Sequence, residues 1–170
     1  VTDSGNLHLP LPDFDPRCLE VPGGAVKLSD RLYMERDADA RLKNQITKQG
    51  TTTTIRAPRQ TGKTSLLVRG MQYARTQGHD VVFFDIQSTG REYLASLDVF
   101  LRGLANAICD ELDLDEALLE QAWQGARSAS GKLQRYLEKQ VLPTLNRPLI
   151  LALDEIDGLP QTAFYTDFFG

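Results

Sequence analysis

"IRAPRQTGKTSLL", residues 55–67, opens on residues suited to a strand and closes on a run suited to a helix, with Lys63 at the turn between them. Gly62, Lys63 and Thr64 fit the end of the phosphate-loop pattern G-x-x-x-x-G-K-[ST], and Ala57 stands where its first glycine is expected. One methyl group at a strand exit is tolerable if φ there stays negative. Such a loop turns successive backbone N–H groups around phosphates at the positive end of a helix. The candidate cradle is Ala57, Pro58, Arg59, Gln60, Thr61, Gly62, Lys63, Thr64 and Ser65. Lys63 would reach the terminal phosphates and Thr64 would put a hydroxyl on Mg²⁺.

The motif is meaningful only between a strand and a helix, and the flanking sequence supplies both. "TTTTIRA" (51–57) is a β-branched run that predicts a strand. Leu66, Leu67, Met71 and Ala74 then hold one helical face until Gly78. Ahead of the loop, "DADARLKNQITKQG" (37–50) spaces Leu42 and Ile46 one helical turn apart and ends on a glycine stop. "DVVFFDIQ" (80–87) is a short continuous apolar run, as in a strand buried on both faces. From Leu94, the residues Leu97, Phe100, Leu101, Leu104, Ala105, Ile108 and Leu112 keep a helix period. "DEALLEQAWQGA" (115–126) predicts a further helical piece, "SASG" (128–131) a loop, and "KLQRYLEKQVL" (132–142) a helix. "PLILALDEIDGL" (148–159) is again a buried strand, ending in acids. Strands alternating with helices give βαβ units, so the expected fold class is α/β: a parallel sheet with flanking helices, three layers deep.

The acids at the end of that last strand sharpen the reading. "LILALDEID" puts Asp154 and Glu155 at the C-terminal end of an apolar strand, the Walker B arrangement, and ligands gather at that edge of a parallel sheet. Asp154 is the candidate Mg²⁺ holder and Glu155 the candidate general base, with Lys63 as the second catalytic residue. Asp157 reads as turn or helix-cap chemistry.

Composition bounds the rest. The chain has 170 residues, 41% hydrophobic and 25% charged, enough for one domain with a core. A net charge of −4 gives no general attraction to nucleic acid. Cys18 and Cys109 lack the spacing of redox or zinc sites and are read as free thiols, Cys109 within a helix's apolar stripe. No stretch has the length of a membrane span and no signal pattern opens the chain, so the expected location is cytoplasmic. The first thirty residues, rich in Pro, Gly and Asp, predict an extended lead-in ahead of a catalytic unit at 31–170.

From "VPGGAVKLSDRLYMERDADARL" through "IRAPRQTGKTSLL" to "LALDEID" and "DFFG", the chain resembles the AAA-like ATPase domain of bacterial STAND-type P-loop signalling NTPases. The resemblance covers nearly all of residues 20–170. It implies that the segment before the loop, often F-x-G-R-E, wraps the nucleotide base; Tyr33, Arg36 and Asp37 match that pattern, and Glu35 occupies its glycine position. It implies ATP as ligand. It also implies a further strand, carrying a polar sensor residue, between the Walker A and Walker B strands, and another strand beyond. Neither falls within residues 1–170, nor does an arginine finger, so the chain reads as truncated after Walker B or as a sheet rearranged around a gap.

Two functions follow from these expectations. One is an ATPase whose slow hydrolysis resets a conformational switch in a signalling or defence-type protein, with self-association or C-terminal effector or repeat domains as partners. The other is a nucleotide-binding or assembly module without effective turnover.

Overall fold

The computed structural model describes residues 33–88 and 90–166. The extended lead-in expected for 1–30 and the "DFFG" segment lie outside these residues, as does Cys18. Helix α1 (Asp37–Ile46) is followed by a turn to Gly50 at φ +68°, which is the left-handed position a glycine fills without strain. Helix α2 (Lys63–Thr76) leaves the loop and stops before Gly78, at φ +79°. Strand β1 (Asp80–Asp85) comes next, then α3 (Leu97–Glu111), α4 (Glu116–Trp123) and α5 (Ala129–Tyr136), and then strand β2 (Leu149–Asp154).

β1 and β2 pair in parallel, with Asp80 opposite Leu149 and Asp85 opposite Asp154. Parallel neighbours need a long crossover, and α3 to α5 provide it. Alternation along the strands then sorts the apolar side chains to two faces. Val81 and Ala152 meet Met71 and Ala74 of α2, with Phe83 and Ile150 packed beside them. Val82 and Phe84 face Phe100, Leu101, Leu104, Ala105 and Ile108 of α3, the stripe predicted from the sequence. Phe100 sits edge-on to Phe84 at 5.9 Å and stacks with Phe164 at 5.6 Å. Buried Cys109 belongs to the same cluster and is a free thiol. Helices thus flank both faces of a two-stranded sheet.

Four local expectations are corrected. "TTTTIRA" runs as chain without helix or strand structure, because a strand is defined by its ladder and no described segment pairs with it. β2 is not buried on both faces: Ala152 is its one buried residue and Leu151 is 37% exposed, since a cleft of about 1270 Å³, lined by residues 51–57 and by β2, runs along it. "SASG" is a helix start rather than a loop: Ser128 Oγ accepts a hydrogen bond from Gly131 N at 3.2 Å, and α5 begins at Ala129. The long helix from Leu94 is broken. Arg91–Leu94 forms a 3-10 turn and α3 restarts behind Ser96, whose hydroxyl accepts from Val99 N.

After Tyr136 the helical path continues as a π turn, Leu137–Val141, then Leu142–Thr144. Pro143 has no N–H to give an α ladder, and widening the preceding turn accommodates it.

Candidate functional site

The loop between Ala57 and α2 is a tight exposed turn. Thr61 Oγ1 donates to Pro58 O at 2.7 Å and closes it. Gln60, at φ 61°, and Gly62, at φ 81°, both take the left-handed conformation, so the chain reverses sharply before Lys63 opens the helix. Gly62 O accepts the first helical bond, from Leu66 N at 3.0 Å. Successive turned peptides at a helix N-terminus form an anion-binding concavity. Ser65 is buried behind it and Thr64 is half-buried.

Lys63 bends back across the loop. Its Nζ donates to Ala57 O at 3.3 Å and lies 3.9 Å from Asp157 Oδ2. Asp157 lies in the 3-10 turn Ile156–Gln161 that follows β2. Its carboxylate therefore faces the loop's lysine, a pairing the sequence reading missed.

Asp154 ends β2, and Asp85 ends β1 in register with it, so two carboxylates share one end of the sheet. A lone acid closing an apolar run carries no motif, so the sequence does not single out Asp85; here it accepts from Gln87 N at 2.9 Å. Glu155 is exposed and left-handed, at φ 54° and ψ 35°, and its N–H donates to Asp154 Oδ1 at 2.9 Å. Lys63, Ala57, Asp154, Glu155 and Asp157 all line the cleft beside β2. The two motifs, about ninety residues apart in sequence, therefore meet at one site.

Tyr33 and Arg36 form a second group at the Thr61–Gly62 end of the loop. Arg36 Nη1 donates to Thr61 O at 2.7 Å, and its guanidinium lies 5.8 Å from the Tyr33 ring centroid. Arg69 of α2 packs over the same ring at 3.7 Å. Both are tied to Asp39, which the sequence reading also missed: Tyr33 Oη donates to Oδ1 at 2.6 Å, and Arg36 N donates to Oδ2 at 2.9 Å. An acid three residues into a helix was its one sequence signal. Burial pushes the Asp39 carboxyl up, but the Tyr33 and Arg36 hydrogen bonds outweigh it and hold the group below its ordinary value. Burial, then the bond to Asp39, raises the Tyr33 hydroxyl.

The oxygen donors fit a hard cation. A threonine hydroxyl and a carboxylate are what Mg²⁺ takes when phosphates and water complete its shell. Thr64 and Asp154 are the residues that would hold it.

The sequence matches a family described as an AAA-like domain over residues 21–170. An uncharacterized WD repeat-containing protein of Synechocystis is 30% identical over 151 residues, 86% of this chain and 12% of that protein. The chain thus spans a small part of the length of this relative. No solved structure matches. Among the described residues, no helix is long and apolar enough to cross a membrane.

Proposed function

The chain belongs to the AAA-like domain family, and from that premise we propose that it binds ATP with Mg²⁺ and hydrolyses it slowly, as a nucleotide-dependent switch. The observation that carries the reading is the shared cleft of Lys63, Asp154 and Glu155. The Arg59–Ser65 amides would surround the phosphates, Pro58 having no N–H to offer, and Lys63 would neutralise the terminal one. Mg²⁺, which Thr64 and Asp154 would hold, would supply charge neutralisation to the phosphates. Glu155 would accept a proton from the water that attacks the γ-phosphorus, with ADP as leaving group. Tyr33 and Arg36 complete the nucleotide site.

The fold we propose is a P-loop NTPase with a three-layer α/β/α arrangement. The cleft between residues 51–57 and β2 is where the sensor strand implied by the resemblance would lie. A STAND-type role in bacterial signalling, in the cytoplasm, follows from the same resemblance. A relative named for WD repeats supports repeat domains as what the switch acts on. The second reading, a binding module without turnover, is favoured by one observation: Glu155 is exposed, on a backbone turned by its bond to Asp154.

Calorimetry with Mg-ATP and single-turnover hydrolysis separate the two. Glu155→Gln should retain binding and stop turnover, whereas Asp154→Asn should also weaken the Mg²⁺ dependence of binding. Equal hydrolysis by the native chain and Glu155→Gln would remove Glu155 as the base and favour the second reading.

A further inference from the structure

Asp39 is the one fully buried charged side chain among the described residues, at 3% exposure. A carboxylate taken out of water is costly unless its lone pairs are used. Here they are used on Tyr33 Oη and Arg36 N, and Arg36 Nε lies 3.9 Å from Oδ2. The next link is Arg36 Nη1 to Thr61 O, at 2.7 Å. Nη2 stands 3.4 Å from Tyr33 Oη, and a side chain at Gly62 would meet the guanidinium at 3.7–3.8 Å.

The consequence for the loop is geometric. A trans peptide points its N–H opposite its C=O. Tying the Thr61 carbonyl to Arg36 therefore fixes the direction of the Gly62 N–H, one of the amides at the helix N-terminus. We propose that Asp39 is a positioning residue for the phosphate loop: it holds Arg36, and Arg36 holds the Thr61–Gly62 peptide in the orientation that presents its N–H to phosphate. This rests on the reading of the loop as a phosphate site. It assigns Arg36 a role on the polyphosphate end of the ligand, through the backbone, and gives helix α1 control of the loop.

The test uses the whole chain with Arg36→Ala, Asp39→Asn and the double variant, probed with Mg-ATP and with inorganic triphosphate by calorimetry. Each single change should weaken both ligands alike, by roughly tenfold, as expected for losing a hydrogen bond to a charged group. The double variant should bind no worse than Arg36→Ala alone. The NMR order parameter of the Gly62 N–H should fall in all three, because the peptide is no longer tied through the Thr61 carbonyl. If Asp39→Asn weakens binding by the same factor with Arg36 already removed, Asp39 acts independently and the proposal fails. It fails equally if the loss is confined to ATP, because the contact is then to the base. Should Asp39→Asn not fold, Tyr33→Phe keeps the ring and removes one bond from Asp39, and it should shift both ligands in the same direction. A native chain that binds neither probe sinks the nucleotide reading. The order-parameter measurement still decides Asp39 in that case, since an unchanged Gly62 N–H order parameter in Asp39→Asn overturns its role.

Discussion

At the scale of single residues, the site depends on a few charges whose partners are now defined. Lys63 sits between Ala57 O and Asp157, so its ammonium is already held near the loop. Lys63→Ala should weaken Mg-ATP binding at least about tenfold, the loss of a charge-assisted bond, and calorimetry reads it directly. Unchanged affinity would mean that "APRQTGKTS" is not the phosphate site. Asp39 makes a separate, pH-dependent contribution. Its folded value is depressed, so the stability it adds is fully present above the ordinary carboxylate range and is lost as pH falls through the folded value. Thermal melts across acid pH should show a flatter acid limb for Asp39→Asn than for the native chain. The turn before α2 and the Asp154–Glu155 pair at the end of β2 were legible in sequence because each is a local pattern. Asp39, Asp85 and Asp157 were not, because what gives each its role is a partner or a register set by the fold.

At the scale of elements, close packing fixes how α1 approaches α2. A methyl group at Gly70 would come within 2.6 Å of Leu42 Cδ2. Gly70→Ala should therefore destabilise by about 1–3 kcal/mol in urea unfolding, in spite of alanine's better helix propensity. A destabilisation near zero would mean that Leu42 can move aside freely. Tyr136 makes the opposite case. It is fully buried, and its hydroxyl meets only the weakly bonding Cys109 thiol among the described residues. Tyr136→Phe should then be neutral or stabilising by about 1 kcal/mol. The helix stripes of α2 and α3 could be read from periodicity because a stripe needs only its own residues. The start of α5 could not, since a serine that caps a helix looks like loop composition until its Oγ finds Gly131 N. That residues 51–57 would have no ladder among the described residues was equally illegible, because pairing is a property of two segments and the sequence describes one at a time.

At the scale of the molecule, the sheet has two strands among the described residues, and a cleft runs beside β2. β2 carries an exposed Leu151 beside that cleft. Unpaired strand edges template association. The 170-residue chain should therefore associate with rising concentration, and Leu151→Lys should reduce association without lowering the melting temperature by more than a degree or two. Light scattering on the two proteins decides it; equal association would place the contact elsewhere. On the proposed reading that a sensor strand fills the cleft, a version carrying one further βαβ unit, about 30 residues, should be monomeric and hydrolyse ATP faster than the 170-residue chain. If the shorter chain is monodisperse and equally active, no strand belongs in the cleft.

The left-handed backbone at Glu155 sets two kinds of fitness against each other. Holding a side chain there costs about 1–2 kcal/mol that glycine would not incur. A library of variants sorted only for heat resistance would accordingly enrich glycine at 155 and discard the carboxylate. On the proposed reading of Glu155 as the general base, sorting for nucleotide turnover would restore the acid and the strain with it. Directed evolution of this chain would thus reveal in its outcome at one codon which property the selection rewarded.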